Sequence, residues 1–142
     1  MQVIRAEAAP RFQLPGVEFT VLASPSQGSA GLCTWKLTVD PGVRGDAPHT
    51  LDRDEVFMVL SGTVQVTPDG DKLGPGDAVV VPAGEPISLT NLGEGPAELY
   101  VAITAGFTGY MADGTAELYV AVTAGFTGTM ADGTTVQPPW AQ

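Results

Sequence analysis

Residues 41–91 carry the strongest information about the fold, in the segments PGVRGDAPHTLDRDEVFMVLSG (41–62) and GDAVVVPAGEPISLTN (76–91). Each segment contains a short apolar run, Glu55–Leu60 in the first and Ala78–Val81 in the second, bounded by Gly, Pro and Asp. Valine and aromatic residues favour strands, whereas the flanking Gly and Pro interrupt regular structure. The two segments therefore predict short strands joined by turns.

The rest of the chain has the same character. Its 18 Gly and 12 Pro leave few stretches of ten residues without a helix breaker. Further strands are predicted at 17–22, 33–39, 63–67, 87–90 and 98–104. Apolar and polar residues alternate from Cys33 to Val39, which predicts one buried and one solvated face. Pro68-Asp69-Gly70 predicts a hairpin turn in which Gly70 adopts a positive φ. The sequence thus predicts one all-β domain over residues 1–142.

Charge and composition limit which molecules the protein is expected to bind and in which compartment it is expected. The 16 acidic and 6 basic side chains give a net charge of -10, which repels nucleic acid and anionic membrane surfaces. Arg5 and Glu7 interrupt any apolar leader, and no apolar run approaches the roughly 18 residues of a membrane helix. We therefore expect a cytoplasmic protein that binds neither nucleic acid nor membrane.

A tandem repeat occupies the C-terminal third of the chain. Residues 97–115 read AELYVAITAGFTGYMADGT and residues 116–134 read AELYVAVTAGFTGTMADGT, with 17 of 19 positions identical. Two copies are too few for a solenoid, so the repeat is interpreted as a duplicated strand and loop. The two copies compete for one position in the sheet. The surplus copy could loop out, form an additional edge strand, or exchange with a second chain in a strand-swapped homodimer.

Residues 41–91 also resemble the two sequence motifs of the cupin superfamily, G-x5-H-x-H-x3,4-E-x6-G and G-x5-P-x-G-x2-H-x3-N. In the first motif His49, Glu55 and Gly62 match, whereas Leu51 takes the second histidine position and Gly42 lies one residue early. The second motif is matched by Gly76, Pro82, Gly84 and Asn91, but its histidine position is Ile87. The resemblance implies a double-stranded β-helix, or jelly-roll barrel.

The resemblance also implies a divalent transition metal held by three histidines and one glutamate, of which this chain keeps His49 and Glu55. An open metal site generally needs three protein ligands. The polar residues that could add a third are Asp46, Asp52, Asp54, Gln65 and Cys33. Because Leu51 and Ile87 would present methyl groups to an ion, we expect no tightly bound metal.

The resemblance further implies a pocket in which His49 and Glu55 are surrounded by Trp35, Leu51, Phe57 and Ile87. Apolar surroundings raise the pKa of a carboxyl group towards the range useful for acid or base catalysis. The expected function is binding of a small, partly apolar molecule. Two alternatives stay open: a metal-independent isomerase, epimerase or cyclase that uses Glu55 and His49 as catalytic residues, and a metal-dependent oxygenase with non-standard ligands. A satisfied buried pair without function is the simplest interpretation of His49 and Glu55.

Overall fold

The computed structural model describes residues 1–45, 48–111, 128–129 and 135–136. The strands are β1 Arg11–Leu14, β2 Val17–Ala23, β3 Leu32–Val39, β4 His49–Leu51, β5 Glu55–Ser61, β6 Val64–Gln65, β7 Ala78–Val81, β8 Thr90–Asn91, β9 Ala97–Thr104, β10 Gly109–Met111, β11 Gly128–Thr129 and β12 Thr135–Val136. The described residues contain a single 3-10 turn, Pro25–Gln27. None of their helices is long and apolar enough to cross a membrane.

Six antiparallel strands form the main sheet, in the order β1-β2-β3-β9-β5-β7. A second layer is built from the pairs β10–β4 and β6–β8. His49 and Ile87 form an isolated bridge, and the Ser88 N–H donates to the Val66 carbonyl over 2.7 Å. These contacts connect the two short pairs, so the described chain is a two-layered, all-β jelly roll.

The core lies between the two layers. Alternate residues of β3 and β9 point into it, and Val39, Leu99 and Val101 have no exposed surface. Leu51, Val64, Val66 and Ile87 of the second layer belong to the same cluster. β9 contributes most centrally because it pairs with β3 on one side and β5 on the other. The first copy of the repeat therefore begins with the central strand of the main sheet.

Long alternating strands were predicted well, and short paired segments less well. The strands expected at 17–22, 33–39, 78–81 and 98–104 are present within one residue at each end. The strand expected at 63–67 shrinks to Val64–Gln65, and that at 87–90 to Thr90–Asn91. The second begins only after Ser88, where the Gly45 backbone packs closely: a Cβ on Gly45 would lie 2.5 Å from the Ser88 carbonyl carbon. β1, β4 and β10 were not predicted.

The turn at Pro68-Asp69-Gly70 is present, but the expected positive φ falls on a different residue. The Gly70 N–H donates to the Thr67 carbonyl over 3.1 Å, which closes the turn. Asp69, not Gly70, adopts the left-handed conformation, with φ of 59°. Aspartate tolerates this region better than most residues because its short polar side chain forms local hydrogen bonds. The prediction for Gly70 was therefore wrong.

Gly62 shows why a side chain is not tolerated after β5. Its φ is 84°, and a Cβ would lie 2.7 Å from the Cβ of Ala97, the first residue of β9. Both the backbone conformation and the space exclude larger residues. Gly62 thus lets the β5–β6 turn pack directly on the start of the central strand.

Asn91 links β8 to two other segments of backbone, at Val39–Asp40 and at Gly95. Its buried amide Nδ2 lies 3.0, 3.2 and 2.9 Å from the carbonyl oxygens of Val39, Asp40 and Gly95, respectively, and its Oδ1 accepts from the Gly93 N–H over 2.9 Å. Asparagine supplies both a carbonyl and an amide within one short side chain, which suits this position.

The Asn91→Ala variant should lose about 3 kcal/mol of unfolding free energy, because each buried group left without a partner costs roughly 1–3 kcal/mol. Urea unfolding monitored by circular dichroism measures the loss. Gln65→Ala is the control, since Gln65 makes one part-buried bond, from Nε2 to the Gly70 carbonyl over 2.7 Å. An Asn91→Ala variant that is no less stable than Gln65→Ala would contradict the structural role assigned to the Asn91 amide.

Candidate functional site

Glu55 is a buried carboxyl group at the start of β5. Its backbone pairs with Val81 on one side and Ile103 on the other, and only 3 % of the residue is exposed. Burial raises the pKa of Glu55 to about 8, because desolvation penalises the charged form. At neutral pH this side chain is therefore mostly an uncharged hydrogen-bond donor.

His49 lies in the second layer, at the start of β4. Its backbone exchanges two hydrogen bonds with Ile87, of 3.1 and 2.8 Å, and its side chain shares a strand face with that of buried Leu51. Burial lowers the pKa of His49 below its usual 6.5, so the imidazole is neutral at pH 7. The layers thus contribute one neutral imidazole and one protonated carboxyl group.

The four residues expected to line a pocket all belong to the buried cluster between the layers. Trp35 and Phe57 come from the main sheet, and Leu51 and Ile87 from the second layer. Leu51 is 5 % exposed and Ile87 3 %. The structure therefore brings together the apolar residues predicted to surround His49 and Glu55.

Trp35 has a feature that the sequence did not reveal. Its ring stacks on that of Phe107, with centroids 6.2 Å apart and an angle of 27° between planes. Its buried indole Nε1 has no hydrogen-bond partner in the described structure. Phe107, in the turn after β9, was not among the expected pocket residues. The sequence signal that could have identified Phe107 is an aromatic residue shortly after a strand of alternating buried residues.

Cys33 lies across β9 from Glu55, since both residues pair with Ile103. Burial raises the pKa of its thiol to about 11, so Cys33 stays protonated at neutral pH. A nucleophile needs the thiolate form. Cys33 is therefore part of the apolar interior and not a reactive group.

The residues present do not fit a resident metal ion. His49 and Glu55 supply two donors, while inward-facing Leu51 and Ile87 fill the positions that resemble the other two ligand sites. Among the described residues, no group of three or more His, Cys, Asp or Glu side chains is placed to hold a metal.

The expected third ligands have other roles or lie elsewhere. Asp52 and Asp54 are exposed and accept from the backbone N–H groups of Thr108 and Ala83, over 2.7 and 3.0 Å. The Gln65 amide donates to the Gly70 carbonyl, and Cys33 is protonated. Asp46 lies outside the described residues. The aspartates therefore fasten the β4–β5 turn to neighbouring loops.

The family comparison agrees with the geometry of the site. Residues 35–103 match the family model described as "Cupin domain". This range includes β3 to β9 and all four residues of the apolar cluster named above. The chain therefore contains a cupin domain, matched over residues 35–103.

Solved structures with the same fold have varied activities. KdgF from Halomonas sp. is 23 % identical with a TM-score of 0.60, over 73 % of this chain and 92 % of that one. The polyketide cyclase RemF from Streptomyces resistomycificus is 21 % identical with a TM-score of 0.63, over 73 % and 79 %. A sugar phosphate isomerase of the cupin superfamily from Silicibacter pomeroyi is 19 % identical with a TM-score of 0.64, over 94 % and 91 %. No curated protein matched in sequence. At these identities the likeness concerns the fold alone.

Proposed function

We propose that the interior of this cupin domain binds a small, partly apolar molecule without a resident metal. The observation that carries the proposal is the Glu55 carboxyl group, which is held in an apolar interior with only 3 % of the residue exposed, so that burial raises its pKa to about 8. Burying such a group without compensation costs free energy, and groups of this kind concentrate at functional sites. A ligand that accepts a hydrogen bond from the protonated carboxyl would compensate for its burial.

The apolar cluster supports the same proposal. Binding sites for small molecules are mostly apolar, with a few polar groups that orient the ligand. Here Trp35, Phe57 and Leu51 provide apolar surface, and Glu55 and His49 provide the polar groups. The missing third metal ligand favours direct recognition by these side chains over binding through an ion.

Retention of metabolites tests the proposal. Protein treated with EDTA and dialysed should retain one class of molecule from a metabolite extract, detected by native mass spectrometry. Glu55→Leu, which removes the donor, should retain it at least roughly tenfold less tightly, since losing a matched hydrogen bond to a buried group costs about 1–3 kcal/mol. Glu94→Leu, in an exposed loop, is the matched control and should behave like the native chain. Retention that requires an added metal, or that is equal in both variants, would contradict the proposal.

A second candidate is a metal-independent isomerase, epimerase or cyclase. It is favoured by the Glu55 pKa of about 8, which lies close to neutral pH and suits proton transfer. In such an enzyme Glu55 donates a proton to the substrate and the neutral His49 accepts one. The similar folds of a polyketide cyclase and a sugar phosphate isomerase make this chemistry compatible with the scaffold. Recovery of a converted molecule, instead of the one added, distinguishes the enzyme from the binding module.

The duplicated strand is proposed to promote self-association as a homodimer. The domain has one central position, filled by β9, but each chain carries two sequences that match it. The surplus copy can serve as an additional edge strand or exchange with a second chain. The outer face of the main sheet also carries exposed Tyr100, Val80 and Leu60, which would favour contact between two copies.

A further inference from the structure

The indole N–H of Trp35 is the one buried side-chain donor without a partner in the described structure. Trp35 is 8 % exposed, so bulk water does not readily replace the missing acceptor. A buried tryptophan N–H normally finds a hydrogen-bond partner. Native structures contain few exceptions, and each requires a specific explanation.

The strand neighbours of Trp35 supply no side-chain acceptor for its indole N–H. The residues paired with Trp35 on either side are Val21 and Val101, both buried and apolar. The ring of Phe107 stacks on the indole, and the backbone carbonyls nearby belong to the β2–β3 and β3–β9 ladders. A single trapped water needs two to four polar partners, which these neighbours do not offer.

We infer that Trp35 recognises an uncharged ligand by donating its indole N–H to a carbonyl oxygen, with the ligand in the apolar cluster beside Phe107. The inference rests on the proposed function, because it assigns the chemical class of the molecule bound in the same interior. It adds a polar contact from β3, on the main-sheet side of that interior.

The chemical class of the ligand follows from the side chains that would contact it. Trp35, Phe107 and Phe57 favour a flat or cyclic hydrocarbon body, since aromatic rings pack best against such surfaces. One acceptor oxygen matches the one unpaired indole donor. An ionised group would lose solvation in this apolar cluster without a compensating charge. An aromatic or cyclic ketone is therefore the simplest class that meets all three conditions.

A pair of isosteric probes tests the inference. Acetophenone carries the carbonyl oxygen, and α-methylstyrene replaces it by a methylene group of similar shape. The uniformly 15N-labelled chain is titrated with each probe while the two indole N–H signals are followed by NMR. The Trp35→Phe variant identifies which signal belongs to Trp35, because the other tryptophan in the sequence is Trp140.

The expected result is a downfield shift of the Trp35 indole proton with acetophenone and not with α-methylstyrene. The ketone should bind about three- to tenfold more tightly than the alkene, the ratio that corresponds to one hydrogen bond. Trp35→Phe should bind both probes equally, whereas Trp140→Phe should keep the preference for the ketone. Because Trp140→Phe also identifies the Trp35 signal by elimination, and the native chain reports the proton shift itself, the test does not depend on Trp35→Phe folding.

Equal affinity for the two probes with an unshifted Trp35 signal would overturn the inference and leave binding in the interior intact. An absence of saturable shifts with acetophenone up to its solubility limit would also overturn it. Retention of a metabolite by the native chain would in that case still support the proposed function. A Trp35 proton already exchange-protected and insensitive to both probes would assign the N–H to a trapped water instead.

Discussion

The Glu55→Gln variant should gain stability relative to the native chain as the pH rises from 4.5 to 8, by on the order of 4 kcal/mol in unfolding free energy. Glu55 has a pKa of about 8 in the folded chain, compared with 4.5 for the unperturbed group. Between these values the unfolded chain releases the proton and the folded chain keeps it. Each unit of pKa difference is worth about 1.4 kcal/mol, so the native chain loses stability across this window.

The sign of this effect separates Glu55 from the other buried titratable groups. His49 has a lowered pKa, so it destabilises the folded chain as the pH falls below 6.5, in the opposite direction. The pKa of Cys33 is raised from 9.0 to about 11, so its contribution begins above the window. Both groups are present in the native chain and in Glu55→Gln. The difference between the two unfolding curves therefore isolates Glu55.

Urea unfolding at a series of pH values between 4.5 and 8 measures this difference. The Glu94→Gln control should show a constant offset from the native chain, because Glu94 is exposed. The dependence on urea concentration should be the same in all three chains, which establishes that stability and not the unfolded state has changed. A constant offset for Glu55→Gln as well would mean that Glu55 is ionised in the folded chain, and hence paired.

The sequence predicted the sheet where periodicity was long enough to be unambiguous. β3 and β9 alternate over eight residues each, so one face had to be buried. β4 and β8 contain three and two residues, and no pattern can be recognised over such lengths. The order of strands in the sheet depends on contacts between distant residues, such as Trp35 with Val101, and was not predicted. The resemblance to cupins implied only the jelly-roll fold as a whole.

The candidate site was predicted in part for a similar reason. His49, Glu55, Leu51 and Ile87 were found because the cupin motifs fix their spacing, and their burial followed from that resemblance. The unpaired indole N–H of Trp35 could not be found this way, because a missing partner is a property of packing in three dimensions. Phe107 was missed because it lies in a turn, where alternation no longer indicates which side chains face inward.

The Val101→Asp substitution should unfold a chain that lacks Ala116–Thr134, yet leave the full-length chain folded. Val101 has no exposed surface and sits between Trp35 and Phe57 on the neighbouring strands. An unpaired charge buried there costs several kcal/mol, a large part of the stability of a domain this size. In the full-length chain, the second repeat offers Val120 at the equivalent position and can take the place of β9.

Circular dichroism and thermal unfolding of four chains test this expectation: full-length and 123-residue chains, each with and without Val101→Asp. The full-length double variant Val101→Asp/Val120→Asp should not fold, because both copies then carry a buried charge. Val120→Asp alone should leave the full-length chain folded, since the first copy supplies β9. A full-length Val101→Asp chain that fails to fold would show that the second copy cannot replace β9.

Replacing β9 by the second copy of the repeat costs free energy, and this cost affects whether two chains associate. The second copy differs at the buried positions of β9 by Val122 in place of Ile103, which costs about 1 kcal/mol. The connection from β8 to the central strand grows from five residues by the 19 of one repeat, which adds roughly 1.4 kcal/mol of loop closure. That loop penalty changes if the replacing copy comes from a second chain, because the connection then runs between domains.

Size-exclusion chromatography with light scattering should therefore find full-length Val101→Asp more dimeric than native, and the unsubstituted 123-residue chain less so. A monomeric full-length Val101→Asp chain that remains folded would restrict the exchange to copies within one chain.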